Sequence, residues 1–515
     1  MALPITWAAF IVLLTAVFLK AIVTRGRRRT YNLPPGPKPW PIIGNLNLIG
    51  ELPHRSMHEL SKRYGPLMQL RLGSLPAVVG SSVDMARFFL KTSDAAFADR
   101  PRFAIGKYGA FDASDIMWCQ YGPYLREARR ICAAELFSAK RLQTFELIRG
   151  EEVRGMLRGL LEASGCAVRL RDYVQNMTLG VISRMVLGRK YIGQEEEGGS
   201  PPVLTPAEFR EMVEEFLALH GASNIGDFIP WLDWLDLQGY VRRMKRMNRK
   251  FHQFLDRVLD EHDRRRRLEG EGFVARDLVD VLLQQADDPN LEVQLTRDNV
   301  KAIVQDALLG GSDTAAATIE WAMSELIRNP KVLGKAAEEL DCVVGRERLV
   351  TEGDLPALPY IEAILKETFR LHPVAPTLVP HLAREDASVD GFDIPAGTAV
   401  FVNVWWIGRD PALWDAPEEF RPERFVGSKI DVKGQDFELL PFGSGRRMCP
   451  GVGHGMKVTL LSIANLLHGF EWRLPDGIKV EELSMEEIFL LAMPRKDPLE
   501  AVVEPRLQSH LYMCA

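Results

Sequence analysis

The sequence predicts an α+β fold, mainly α, in which a helical body with small β-sheets stands behind an N-terminal transmembrane helix. Three observations predict it. Long amphipathic runs cover about 120–160, 205–220, 240–268, 297–328 and 357–371. Two regions between them read as extended. An apolar stretch without a charged side chain, Met1–Leu19, heads the chain.

The apolar stretch resumes after Lys20 with Ala21, Ile22 and Val23, which makes it long enough to span a bilayer while Lys20 snorkels. Arg25, Arg27, Arg28 and Arg29 follow at once, and the positive-inside rule puts them, and the body after them, in the cytosol. A cleaved secretory signal carries its basic residues before the apolar run; here the order is reversed. Leu33-Pro34-Pro35-Gly36-Pro37 is a stiff elbow, because proline fixes φ and removes backbone donors. The chain therefore divides into a transmembrane anchor (1–24), a basic and proline-rich hinge (25–40) and a body (41–515).

Within the body, Gly65 to Gly80 reads as a β-hairpin: Met68, Leu70 and Leu72 alternate, Gly73-Ser74 turns, and Ala77-Val78-Val79 returns. The second extended region runs from Ala387 to Val404, punctuated by Gly391, Pro395 and Gly397. Gln194 to Pro202 is acidic and rich in glycine and proline, a surface loop. The basic run Arg242 to Lys250 follows a dense apolar loop, Phe228 to Leu235. It reads as a solvated helix face or, with that loop, as a membrane-surface contact.

Composition excludes several classes. With 515 residues, 46% of them hydrophobic, the chain can bury a large core. Lys+Arg is 64 against Asp+Glu 69, a net charge of −5 that gives no sign of a nucleic-acid partner. The six cysteines, Cys119, Cys132, Cys166, Cys342, Cys449 and Cys514, are scattered and form no CxxC pair. That excludes a disulfide framework or a zinc site and fits a reducing compartment.

Only Cys449 has a distinctive context, Pro441-Phe442-Gly443-Ser444-Gly445-Arg446-Arg447-Met448-Cys449-Pro450-Gly451. Glycines let backbone pass close beneath a flat ligand. Backbone N–H groups near the sulfur tune its electron donation. Arg447 is spaced for a charge-assisted contact, and the Phe442 ring can shield the sulfur. An inert buried cysteine after a glycine turn does not explain Phe442, Gly445, Arg447, Cys449 and Gly451 together.

This loop resembles the FxxGxRxCxG pattern of the cytochrome P450 superfamily. The resemblance implies a helical haem-binding fold and haem b (iron protoporphyrin IX), with Cys449 as the iron ligand and Phe442, Arg447 and Gly451 as cofactor contacts. Three further motifs are similar to the family's. Gly310-Gly311-Ser312-Asp313-Thr314 lies within the 297–328 run. Two glycines inside a helix cost about 1 kcal/mol each, a cost explained if the helix deforms to bring backbone close to oxygen. Asp313 and Thr314 then supply protons, the catalytic role the family implies. Glu367 and Arg370, three apart on one helix face, resemble the structural ExxR pair, with Arg424 of Phe420-Arg421-Pro422-Glu423-Arg424-Phe425 as third member. Tyr121 to Arg130 resembles the WxxxR helix, so Arg129 is expected at a haem propionate; the tryptophan position is Leu125. His381 stands where relatives often have arginine, and it reads as a propionate contact or as a structural histidine.

The anchor, the PPGP elbow and the PERF-type motif resemble the microsomal plant branch, and the stretch YNLPPGPKPWPIIGNLNLIG and the ending MEEIFLLAMPRKDPL are similar to its flavonoid hydroxylases and terpenoid oxidases. The resemblance implies a single-pass protein of the endoplasmic reticulum membrane with a cytosolic catalytic domain. It also implies electrons from NADPH through a separate NADPH-cytochrome P450 reductase, docking behind Cys449 near Arg126, Arg130 and Arg446. No GxGxxG follows a strand in this chain, consistent with borrowed electrons.

In the family, substrate meets the stretches that correspond here to Phe103–Met117, Asp306–Thr314, Val374–Val379 (a strand) and Phe489–Met493 (a turn). Candidate substrate residues are Asp306, Gly310, Val374, Leu378, Leu490 and Leu491. The last two stretches are almost wholly apolar, which favours a small lipophilic substrate with few polar handles. A tertiary terpene alcohol (nerolidol or geranyllinalool) cleaved to a homoterpene suits this better than aromatic hydroxylation of a flavonoid. A non-catalytic haem sensor or carrier would not need Asp313 and Thr314. Asp306, two turns before Thr314 on one helix face, meets a substrate hydroxyl or bonds to a neighbouring helix.

Overall fold

The computed structural model describes residues 31–190 and 206–513. The anchor over 1–24 and the loop Gln194 to Pro202 lie outside the described residues. Among the described residues, no helix is long and apolar enough to cross a membrane.

The helices of nine residues or more are α1 (Pro53–Tyr64), α2 (Pro123–Glu135), α3 (Glu146–Glu162), α4 (Leu170–Leu187), α5 (Pro206–Gly221), α6 (Tyr240–Glu269), α7 (Leu278–Ala286), α8 (Arg297–Arg328), α9 (Pro330–Val343), α10 (Pro359–Leu371) and α11 (Val452–Gly469). The strands are β1 (Leu67–Leu72), β2 (Leu75–Gly80), β3 (Ala167–Arg169), β4 (His381–Leu382), β5 (Ala387–Val389), β6 (Phe392–Ile394), β7 (Ala399–Val402), β8 (Phe470–Arg473) and β9 (Glu500–Pro505). They form sheets ordered β1-β2-β7-β4, β3-β9-β8 and β5-β6. The expected hairpin is present, with Met68 opposite Val79 and Leu72 opposite Leu75. The expected extended region supplies β5, β6 and β7, and β7 lies parallel to β2.

The centre of the body is α8. Its start is set by Thr296 and Asn299, whose side chains each accept from the other's backbone N–H in a capping box. Most side chains from Val300 to Ile327 are buried, because α4, α10 and α11 all pack on this helix. Two expectations are corrected. The run at 120–160 is three helices: Ser138 caps a fresh helix, Ala139–Thr144, by accepting from Arg141 N–H, and α3 starts at Glu146. Val374–Val379 is turns rather than a strand; Leu378 sits at φ 53°, a left-handed conformation that a strand cannot accommodate.

A buried ion network ties α10 to the segment leading to the cysteine loop. Both Glu367 oxygens are engaged by Arg370, through Nε at 2.7 Å and Nη2 at 2.8 Å. Arg424 Nε donates to Glu367 at 3.0 Å and Arg421 N–H at 2.7 Å. Arg370 also donates to the carbonyls of Gly408, Pro417 and Glu419, and Arg424 to those of Asp415 and Ala416. Glu367 and Arg370 are fully enclosed, so the charges survive there only as a matched set. Replacing Glu367 by Ala strands two arginines and should cost about 3–5 kcal/mol. Urea unfolding of the variant checks this; an unchanged midpoint contradicts it.

Candidate active site

Cys449 lies two residues ahead of Gly451, the N-cap of α11, so the loop delivers its sulfur to a helix N-terminus, where negative charge is favoured. Gly443 and Gly445 sit at φ 67° each, a conformation that favours glycine, and a side chain on Gly445 would strike the Leu90 carbonyl. Cys449 N–H donates to the Phe442 carbonyl at 2.9 Å, and the Phe442 ring meets Phe369 of α10 edge-on at 5.4 Å. Cys449 is exposed and borders a cavity. The surrounding protein desolvates the sulfur and raises the thiol pKa, while Gly451 N–H and Arg129 oppose that shift.

The cavity, about 300 Å³, lies between this loop and α8. Arg100, Arg129, His381 and Arg447 border it. Arg129 donates to the Met448 carbonyl at 2.8 Å; Arg447 donates to the carbonyls of Ala98 (2.6 Å), Ile116 (3.1 Å) and Cys119. Arg100 donates to the carbonyls of Met117 (3.1 Å), Val379 (2.7 Å) and Pro380 (2.9 Å). All of these acceptors are neutral carbonyls. Three enclosed guanidinium groups satisfied only by carbonyls lack counter-charge, and desolvation lowers the pKa of each. A flat cofactor with two carboxylates and an iron fits this set: arginines for the acids, sulfur for the metal. Sequence reasoning missed Arg100. Its signal was a charge beside the apolar pair Phe97-Ala98, which the structure buries.

His381 bonds through Nδ1 to the Phe97 carbonyl at 2.8 Å. With that nitrogen carrying the proton, a neutral ring offers the cavity an acceptor, not a donor. Burial, with Arg100 and Arg447 nearby, holds its pKa well below the usual value. Leu125 is fully buried, packed away from the cavity lining.

On α8, Asp306, Gly310 and Thr314 share the cavity face. Thr314 Oγ1 donates to the Gly310 carbonyl at 2.8 Å. The glycines differ in use: space beside Gly310 is open, whereas a side chain on Gly311 would strike Ile182 of α4. The helix continues through both glycines, and Gly311 admits a close crossing with α4. Asp313 is not beside Thr314 at the cavity. Successive helix positions are about 100° apart, and its carboxylate faces α4, accepting from Gln175 Nε2 at 2.9 Å and Ser312 Oγ at 3.1 Å. Asp306 Oδ2 accepts from the backbone N–H of Ile116 (2.7 Å) and Met117 (3.2 Å), a loop rather than a neighbouring helix.

The remaining wall is apolar. Val374, Leu378 and Leu491 line it; Leu490 does not, because its backbone packs against Gly221 of α5. The turn bearing Leu491 is pinned by Leu491 N–H to the Leu217 carbonyl (3.2 Å), Met493 N–H to the Val374 carbonyl (3.0 Å) and Trp321 Nε1 to the Met493 carbonyl (3.0 Å).

A family model for cytochrome P450 matches residues 34–499. The chain belongs to the cytochrome P450 family. It is 52% identical to a trimethyltridecatetraene synthase of Zea mays, over 98% of this chain and 94% of that protein. It is 50% identical to a dimethylnonatriene synthase of Zea mays (98% and 97%) and 42% identical to a flavonoid 3'-monooxygenase of Petunia hybrida (98% and 99%). Among solved structures, a zebra fish cytochrome P450 with progesterone is similar at a TM-score of 0.74 and 27% identity, over 88% of this chain and 99% of that one. This cytochrome P450 is accordingly a monooxygenase with a haem cofactor.

Burial raises the Asp313 pKa from 3.8 to about 6. A raised carboxyl favours folding while protonated; the penalty on its ionised form builds from about pH 4 and is complete above about pH 6. Asp313→Asn should therefore be more stable than the wild type at pH 7.5, by up to about 3 kcal/mol, with the gain shrinking toward pH 5. Urea titrations across that range check it; a gain that grows as pH falls contradicts it.

Proposed function

We propose that this cytochrome P450 oxidises a tertiary terpene alcohol, nerolidol or geranyllinalool, and cleaves it to a homoterpene. The observation that carries this is the apolar substrate wall, Met117, Leu217, Ile303, Val374, Leu378 and Leu491, in a chain about half identical to two relatives named for homoterpene products. A polyphenol presents several hydroxyls, and such a wall offers them few partners.

The bound haem supplies the redox chemistry that activates O2. Cys449 Sγ holds the iron, Phe442 shields the sulfur, and Arg100, Arg129 and Arg447 take the propionates. Thr314 Oγ1, donating its one hydrogen to the Gly310 carbonyl, keeps its lone pairs on the cavity side, where they accept from and position a proton-carrying water. Asp313, whose pKa burial raises to about 6, serves as a proton store on the α4 side of the helix, held by Gln175 and Ser312. The wall excludes bulk water and orients the hydrocarbon.

Electrons come from NADPH through NADPH-cytochrome P450 reductase. Arg126, Arg130 and Arg446 are exposed; the Arg126–Glu292 pair is exposed on both sides and exchanges partners at little cost, whereas Arg130 pairs with the buried Glu127 and Arg446 with the half-buried Asp94. The protein sits on the endoplasmic reticulum membrane through residues 1–24, with the catalytic domain over 41–515 in the cytosol. Exposed Trp231, Trp234 and Leu237 support a membrane-facing side. The β1–β2 turn bridges that region to exposed Trp40 and Ile42: Ser74 N–H reaches the Phe228 carbonyl at 2.7 Å and Gly73 N–H the Ile43 carbonyl at 3.0 Å.

Microsomes holding this protein and its reductase, given NADPH, should release a volatile homoterpene from nerolidol or geranyllinalool and leave naringenin unchanged. Leu491→Ala should lower kcat/KM for the terpene alcohol about tenfold or more. Hydroxylated flavanone without homoterpene contradicts the proposal and favours the flavonoid reading.

A further inference from the structure

The cavity that meets the proposed terpene alcohol is apolar apart from a few atoms, and one of these has no protein partner. Asp306 borders the cavity between Ile303 and Ala307. Its Oδ2 accepts both loop amides, from Ile116 and Met117. Among the described residues nothing donates to Oδ1, and this oxygen is not among the sealed, unsatisfied buried atoms of the protein. It therefore opens on the cavity. A carboxyl oxygen that opens on an apolar cavity with no protein partner is left for water or for a polar group of a ligand.

We propose that Asp306 is the hydroxyl-recognition residue of this enzyme, its Oδ1 binding the alcohol group of an otherwise apolar substrate. This rests on the terpene-alcohol reading above and deepens it. Two features make Asp306 suited to the task. Its two amide bonds fix the carboxyl group before substrate arrives, so little ordering entropy is lost on binding. Burial raises its pKa to about 7, and burial, helped by the Asp306 charge, holds the neighbouring Asp115 well above the usual carboxylate range; a hydroxyl can donate to the carboxylate or accept from the acid, so it complements either form of Asp306. Asp306, Gly310 and Thr314 recur every fourth residue on one face of α8, so a substrate tethered at Asp306 lies along the helix toward the threonine and enters in one orientation. The apolar groups Met117, Leu217 and Leu491 then receive the hydrocarbon.

The test compares two ligands of one carbon skeleton, nerolidol and its hydroxyl-free analogue farnesene. Dissociation constants come from the ligand-induced shift of the haem absorption band of purified holoenzyme. The wild type should bind nerolidol about tenfold or more tighter than farnesene. Asp306→Ala should abolish that ratio. Asp306→Asn, whose Oδ1 still accepts the two amides and whose NH2 still meets the cavity, should keep most of it. A preference that survives in Asp306→Ala, or a wild type that does not distinguish the ligands, overturns this inference and leaves the substrate reading standing. A wild type that binds neither ligand overturns both. The wild-type comparison holds whether or not the alanine variant folds.

Discussion

Everything in this protein depends on keeping one sulfur atom ionisable inside the molecule. Enclosure alone would favour the neutral thiol of Cys449, and a neutral thiol is a poor metal ligand. The chain counters this with the Gly451 N–H, the start of α11 and the cation of Arg129. All three work only if the loop holds its shape to within a fraction of an ångström. The glycines at positive φ let the backbone make the turn, and the Cys449 N–H to Phe442 carbonyl bond closes it.

The loop's rigidity is borrowed from farther away. Glu367 gathers four donors, from Arg370, Arg421 and Arg424, and those arginines fasten the carbonyls of the 408–419 segment. That segment carries no long helix or strand of its own, so side-chain bonds satisfy backbone groups that secondary structure would otherwise pair. On the opposite side of the cavity, α8 is a long, largely buried helix. The site is thus a stiff loop facing a stiff helix, with substrate contacts added by the turns around Met117, Leu378 and Leu491.

Much of this was legible in the sequence. The 3.6-residue pattern placed a helix at about 297–328, where α8 lies; the structure adds what fixes its ends, the Thr296 cap and Asn329-Pro330. The Glu367, Arg370 and Arg424 cluster followed from helix spacing plus a recognised motif. What escaped has a common cause: direction around a helix and the path of irregular backbone are not written in local pattern. Asp313 and Thr314 are neighbours in sequence but face α4 and the cavity respectively. Leu490 and Leu491 part company in the same way, one on Gly221 and one on the cavity. Arg100 escaped because its meaning lies in what surrounds it, two other arginines that lack counter-charge.

The central claim is that Cys449 holds the haem iron as a thiolate. The most direct measurement is the absorption spectrum of the reduced carbon monoxide complex of the wild type and of Cys449→His. Thiolate ligation predicts a strongly red-shifted Soret band in the wild type, moved to shorter wavelength in the histidine variant while haem is retained. A wild-type band without that shift, or an identical band in the variant, would contradict the assignment.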